Sequence, residues 1–182
     1  MHKARGFTIV ELLIVIVVIG ILAAISIVAY NGVSEKARDS ERLADAASIA
    51  KGLTMWSTET GKLFSQMNAG YGGGANSGVN GWFDVGYYST PSTQKVLEDG
   101  GYIGKGVNDP RRNASEPSRW RYLVAPCTSD ASDNRRLVMM ELERAPEEPI
   151  AQQVSTLGCN SSYISSYTTS YRVNYVRMAD AR

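Results

Sequence analysis

The chain has 182 residues, 19 Lys and Arg against 18 Asp and Glu, and a mean hydropathy of −0.20, the averages of an ordinary water-soluble domain of modest size. Near-neutral charge argues against a protein that holds polyanions by bulk electrostatics. The only histidine is His2, so the body has no imidazole for a catalytic triad, a zinc site or a proton shuttle.

The averages conceal segregation. Residues 7–30 contain 20 apolar side chains in 24, which leaves a polar body large enough for one domain but not comfortably for two. Met1 to Gly6 is short and basic, Phe7-Thr8-Ile9-Val10-Glu11 follows, and Leu12 to Tyr30 carries no charge. At about 1.5 Å per residue this run spans the roughly 30 Å hydrocarbon core of a bilayer. Lys3 and Arg5 precede it, so the positive-inside bias keeps that end cytoplasmic and places the body outside. A removable secretory signal fits poorly: the run exceeds a usual h-region, and Tyr30-Asn31-Gly32 offers no small-x-small cleavage site. A plain anchor has no use for Glu11, because a carboxylate at a helix centre costs about 2.5–3.5 kcal/mol on insertion scales.

Gly6 before Phe7-Thr8-Ile9-Val10-Glu11-Leu12-Leu13-Ile14-Val15, then Gly20-Ile21-Leu22-Ala23-Ala24-Ile25, closely resembles the N-terminus of type IV pilins. The resemblance covers about residues 1–60. It implies that prepilin peptidase cuts between Gly6 and Phe7, removing the leader 1–6 and leaving a Phe7 amine that is then methylated. It also implies that Glu11 faces the N-terminal amine of a neighbouring subunit in a filament and sets register there. Methylation keeps the amine charged, so it remains a partner for the acid. One departure is Val28, where many type IV pilins have a proline; Val28 forces no kink, which leaves Gly20 to Ser26 as the place where the helix would unwind in a filament.

Beyond Tyr30 the pattern becomes amphipathic. Leu43, Ala46, Ala47, Ala50 and Leu53 follow helical spacing, with Ile49 and Trp56 widening the stripe. Glu35, Lys36, Arg38, Asp39, Glu41, Arg42 and Asp45 read as the solvated opposite face, with i,i+3 pairs worth a few tenths of a kcal/mol. The expected helix therefore has an assembly half over 7–30 and an amphipathic half over 31–57, about 75 Å in all. Residues 58–182 are the expected head. Asn68 to Gly81 reads as a long glycine-rich loop without a phosphate-binding motif, and Gly104-Lys105-Gly106 matches none either. Trp120 to Ala125, Arg136 to Leu142 and Tyr171 to Arg177 read as antiparallel strands, Thr128 to Asn134 as a hairpin connection, and Trp82 to Tyr88 as a further short strand or loop.

Cys127 and Cys159 are the only cysteines, in a body expected to face outside and with no C-x-x-C spacing, so they read as a structural disulfide. They also resemble the disulfide-bounded C-terminal loop of many pilins. Tyr163, Tyr167, Tyr171 and Tyr175 recur every four residues and read as one side of a strand; sheet packing is their simplest use, and with Arg172 and Arg177 an aromatic platform is the functional one. Arg111, Arg112, Arg119 and Arg121 form a basic group that reads as solvated surface. Asp130, Asp133 and Asn134 supply oxygens of the kind calcium takes, as in some pseudopilins, but the spacing matches no EF-hand loop and turn formation explains them. Asn113-Ala114-Ser115 and Asn160-Ser161-Ser162 match the N-x-[ST] glycosylation pattern.

The sequence therefore reads as an α+β protein, a long N-terminal helix on a C-terminal antiparallel sheet, with no enzyme site, cofactor or metal. The resemblance implies a type IV pilus subunit, held in the cytoplasmic membrane by one span and then assembled outside the cell for adhesion, twitching motility or DNA uptake. Its implied partners are copies of itself and related pilins, prepilin peptidase, the pilus assembly machinery, membrane lipid before assembly, and DNA or a host surface as head ligand. The alternatives are a pseudopilin of a type II-like secretion system, a minor pilin, or a monomeric membrane-tethered binding protein.

Overall fold

The computed structural model describes residues 7–69, 81–86, 90–113, 119–160 and 165–182, with the side chains of 165 and 166 set aside. Gly6 and the leader, most of the glycine-rich stretch, Tyr88, Tyr163, and parts of both N-x-[ST] tripeptides lie outside these residues. The chain divides into two compact units, Met1–Ala37 and Arg38–Arg182, and one helix, α1 (Ile9–Thr60), contributes to both. It begins two residues later and ends three later than the expected 7–57.

In the first unit α1 is unbroken through Gly20, so the expected weak point is helical in this chain. Ser26 Oγ donates to Leu22 O at 2.8 Å, a local bond that occupies a polar side chain with no partner among its apolar neighbours. α1 is long and apolar enough to cross a membrane, by length and composition, and none of that apolar window is buried.

The second unit is built on period-two alternation in its strands. β1 (Gly81–Trp82), β2 (Leu123–Pro126), β3 (Arg135–Met140) and β4 (Tyr175–Asp180) form an antiparallel sheet in the order β1-β2-β3-β4. Val124, Val138 and Met140 face one side and join Ala46, Ile49, Ala50, Leu53 and Trp56 of α1. Leu123, Ala125, Leu137 and Met139 face the other and join Ile150 and Val154 of a short helix, Ile150–Thr156. Because β3 is central and covered on both faces, its Leu137-Val138-Met139-Met140 run is apolar without alternation. The remaining helices are α2 (Thr93–Asp99), capped by Ser92 Oγ accepting from Lys95 N, and Ser165–Tyr171; in chain order Ile150–Thr156 is α3 and Ser165–Tyr171 is α4.

β2, β3 and β4 sit close to their expected positions, their ends shifted by up to four residues; of the described residues in the Trp82 to Tyr88 stretch only Trp82 is in a strand, β1; and the Thr128 to Asn134 segment does connect β2 to β3. The tyrosine reading is corrected. Tyr167 and Tyr171 lie on α4, where a four-residue step keeps side chains on one helix face just as it keeps them on one strand face. Their rings stack at 6.1 Å, and Trp82 meets Tyr171 edge-on at 4.7 Å, while Tyr175 packs against the opposite core. No single platform unites them.

Asn134 joins three segments. Its Oδ1 accepts from Phe64 N at 2.7 Å, and its Nδ2 donates to Ser57 Oγ at 2.8 Å and to Ala181 O at 3.0 Å. It is therefore a bracket between the end of α1, the following 3₁₀ turn (Phe64–Gln66) and the C-terminal strand's exit, which is a different use from the calcium ligand considered above. Asn134→Ala strands the buried Phe64 N–H, and a loss of about 1–3 kcal/mol is expected. Chemical denaturation of the full chain in detergent checks this through a lowered midpoint at unchanged slope.

Candidate assembly site

Thr8 and Glu11 start α1 together. Glu11 N donates to Thr8 Oγ1 at 3.2 Å, and Glu11 Oε2 accepts from Thr8 N at 2.8 Å and from Thr8 Oγ1 at 2.7 Å. This is the reciprocal Ser/Thr-x-x-Glu arrangement that satisfies backbone donors at a helix N-terminus. Glu11 thus stands in the first turn and not at the helix centre, where the free N–H groups and the helix dipole favour a carboxylate. The insertion cost expected for a central acid is correspondingly reduced. Phe7 is 80% exposed, and the apolar side chains that follow it are exposed as well.

Residues 1–27 match the family model of the prokaryotic N-terminal methylation motif. The chain carries the type IV prepilin signature. No solved structure matches it. The prepilin motif supports an exported protein of the type IV pilin or pseudopilin kind and implies processing by prepilin peptidase and assembly with other pilins. With the apolar helix, it points to membrane anchoring followed by a place in a pilus.

In the second unit, Cys127 and Cys159 form a disulfide. The bond ties the residue after β2 to the segment after α3, and a closed loop of that size restricts the unfolded chain by about 3–4 kcal/mol in the loop-entropy description. Among the described residues no group of three His, Cys, Asp or Glu is placed to hold a metal. Asp130 accepts from the N and Oγ of Ser132 at 2.8 and 2.7 Å, and these bonds lower its pKa. Asp133 faces Arg135 at 2.8 Å, and that guanidinium lowers its pKa.

The charged face of α1 departs most from expectation. Arg42 is fully buried and Asp39 nearly so. Arg42 Nε and Nη2 donate to the two oxygens of Asp109 at 2.7 and 3.0 Å, and Nη1 donates to Asp39 at 2.7 Å and to Glu143 at 3.0 Å. Glu143 also accepts two bonds from Arg38, at 2.6 and 2.7 Å, and one from Arg111 at 2.9 Å. Asp39 accepts from the backbone N–H groups of Glu143 and Arg144, both at 2.9 Å. The guanidiniums of Arg42, Arg111 and Arg119 lie 4.7, 4.6 and 4.7 Å from the centre of the Trp120 ring.

The signal for this cluster was in the sequence. Residues 42, 46, 49, 53 and 56 step by four and three, so Arg42 lies on the same stripe as the apolar residues that bury α1. Asp109 and Glu143 are 67 and 101 residues further along, and no local pattern joins them to it. Asp45, also read as solvated, accepts from Tyr122 Oη at 2.6 Å, and burial raises the pKa of both groups.

Burial opposes the charge on Arg42, but the bonds to Asp109, Glu143 and Asp39 outweigh it and raise its pKa. Arg38, against desolvation and with help from Arg42, holds Glu143 down at about 2. Arg42→Ala leaves its buried carboxylates without their shared cation, and a loss of about 3–5 kcal/mol is expected, read as a fall in melting temperature at pH 7. Because the folded pKa of Glu143 lies below its ordinary 4.5, its contribution is complete above that value and is lost as pH falls towards 2. In Glu143→Gln the decline of melting temperature between pH 5 and about 2 should be visibly shallower than in the wild type, although the variant starts lower at pH 7.

Proposed function

We propose that this prepilin-type chain is a structural subunit of an extracellular type IV pilus. The observation that carries the reading is the methylation motif over residues 1–27, continued by an apolar helix whose side chains find no burial within the chain. Prepilin peptidase cuts between Gly6 and Phe7, and the Phe7 amine is methylated. Residues 7–30 anchor the subunit as a single cytoplasmic-membrane span and then pack with the same helix of other subunits; residues 31–57 join this part to the head, residues 58–182.

In the assembled fibre the Glu11 carboxylate pairs with the Phe7 amine of a neighbour, so that two charges costly in an apolar core become one compensated pair. The pair sets register. The head offers the fibre its surface for adhesion, twitching motility or DNA uptake. N-terminal sequencing and electron microscopy of sheared surface material test the main reading: methyl-Phe7 at the start of an abundant filament subunit supports it, and a processed chain absent from filaments favours a pseudopilin.

Glu11 has two separable roles, and two substitutions distinguish them. Glutamine retains the acceptor that closes the bond with Thr8 but carries no charge, whereas alanine removes both. Glu11→Ala and Glu11→Gln should both be processed and inserted, and both should yield few filaments in counts of sheared pili. Wild-type filament numbers with Gln and few with Ala would assign the residue to the helix start instead of to register.

A further inference from the structure

We propose that a groove between α1 and β4, flanked by Lys51 and Arg177, receives the acidic turn Pro146–Pro149 of a second copy of this chain. The contact rests on the filament-subunit reading given above and gives it a specific meeting point between the second units of adjacent subunits.

Groove and turn both belong wholly to the second unit. Lys51 and Met55 of α1 stand on one side of the groove and Arg177 and Met178 of β4 on the other, around a space of about 350 Å³. β4 is an edge strand, but its outward backbone is already plugged: Val176 N donates to Gln153 Oε1 at 3.2 Å, and Asp180 O accepts from Thr54 Oγ1 at 3.3 Å. Strand addition is therefore blocked towards both ends of β4, and a partner here meets side chains.

The groove has two cations and no free anion. Lys51 and Arg177 are exposed, and neither makes an ion pair among the described residues. This is unusual in a unit where most arginines face a carboxylate. No acid stands three or four residues from Lys51 on α1, and Arg177 lies opposite Val138 on β3. Asp180 borders the same space, but Arg182 holds its carboxylate at 2.6 Å. Such a site favours an acidic partner.

The chain carries the matching element. Glu147 and Glu148 are adjacent and exposed, and neither makes an ion pair among the described residues; Glu148 Oε1 accepts one long bond, from Thr156 Oγ1 at 3.4 Å. Pro146 and Pro149 restrict the backbone on either side, and Gln153 Nε2 donates to Glu148 O at 2.7 Å. The turn is thus held before it binds, which lowers the ordering cost of a contact.

Groove against groove would set like charges face to face, so two copies meet groove to turn. Such a contact is heterologous: each copy offers its groove to one neighbour and its turn to another, and a rotation that does not close gives an open helical filament. A turn of this size buries far less than the roughly 1,200 Å² of a stable pairwise interface, so the contact acts where helix packing has already gathered the subunits.

Charge exchange in cells making the full chain as their sole copy tests this by filament counts on sheared material, with processed chain measured by immunoblot and melting temperature on purified protein. K51E/R177E and E147K/E148K should each lower filament number about tenfold or more, at unchanged chain level and melting temperature. Combining all four changes should restore counts to within about threefold of wild type, because the charges match again. K62E/K105E, which reverses two other exposed lysines of the same unit, should leave counts unchanged. Carbodiimide, which joins an amine to a carboxylate in contact with it, reads the contact without any variant: in wild-type filaments the dimer band should contain Lys51 linked to Glu147 or Glu148.

Wild-type counts in either reversed pair, no recovery in the combination, equal loss in the control, or a dimer band without that link overturns the contact. Loss in K51E/R177E without loss in E147K/E148K overturns it too, and gives the groove to a different acidic partner. A wild-type chain absent from filaments overturns the pilus-subunit reading itself, whereas filaments that form without this link overturn the contact only.

Discussion

Arg42 is the constraint from which the arrangement of the head follows. A guanidinium with no solvent contact is tolerable only if its donors are met by anions in correct geometry. Those anions come from three places: Asp39 one turn back on α1, Asp109 on the segment after α2, and Glu143 just beyond β3. None could move without leaving an uncompensated charge in a poorly solvated site. A purely apolar contact would tolerate sliding of helix against sheet; a forked donor fixed to three carboxylates does not.

A second polar fixture at the other end of the same helix completes this. Ser57 and Asn134 join the end of α1 to the start of β3, whereas Arg42 and Glu143 join its earlier part to the end of β3. Between them lie Ala46, Ile49, Ala50, Leu53 and Trp56, all buried against the sheet. From Arg42 to Ser57 the helix rises about 22 Å, and β3 covers about 17 Å, so the two fixtures bracket the length of that strand. Hydrophobic burial supplies the larger free energy and the two polar fixtures supply the register, a division that explains why charged residues occur on the buried stripe at all.

Legibility in the sequence followed the range of the interactions. The long helix, its apolar stripe and three strands could be read because each rests on local periodicity, and the prepilin signature because it is a contiguous run. The tyrosine repeat could not be resolved by periodicity, since Tyr167 and Tyr171 share a face under either helix or strand geometry. The charged face of α1 was misread for a different reason. Asp39, Arg42 and Asp45 look like ordinary surface pairs until the distant partners Asp109, Glu143 and Tyr122 are in place, and sequence separation hides those partners. Short α2 and α3 left no distinct pattern because a seven-residue helix completes barely two turns.

The strained backbone falls where this frame would place it. Trp120 and Arg172, both at positive φ, stand shortly before β2 and β4, and Arg119 and Arg172 both turn to Glu141 at the end of β3. Three strand ends therefore converge on one buried carboxylate, beside the point where Arg42 fixes α1. A tryptophan at φ of 55° would relax if its ring were free, but three guanidiniums are stacked around that ring and it is nearly buried. The contacts that fix the ring hold the backbone out of its preferred region, and the backbone in turn directs Arg119 and Arg121 towards different carboxylates, Glu141 and Asp84. Charge placement at this end of the sheet is thus determined by backbone conformation as much as by side-chain choice, which is why a sequence pattern of arginines alone reads only as surface.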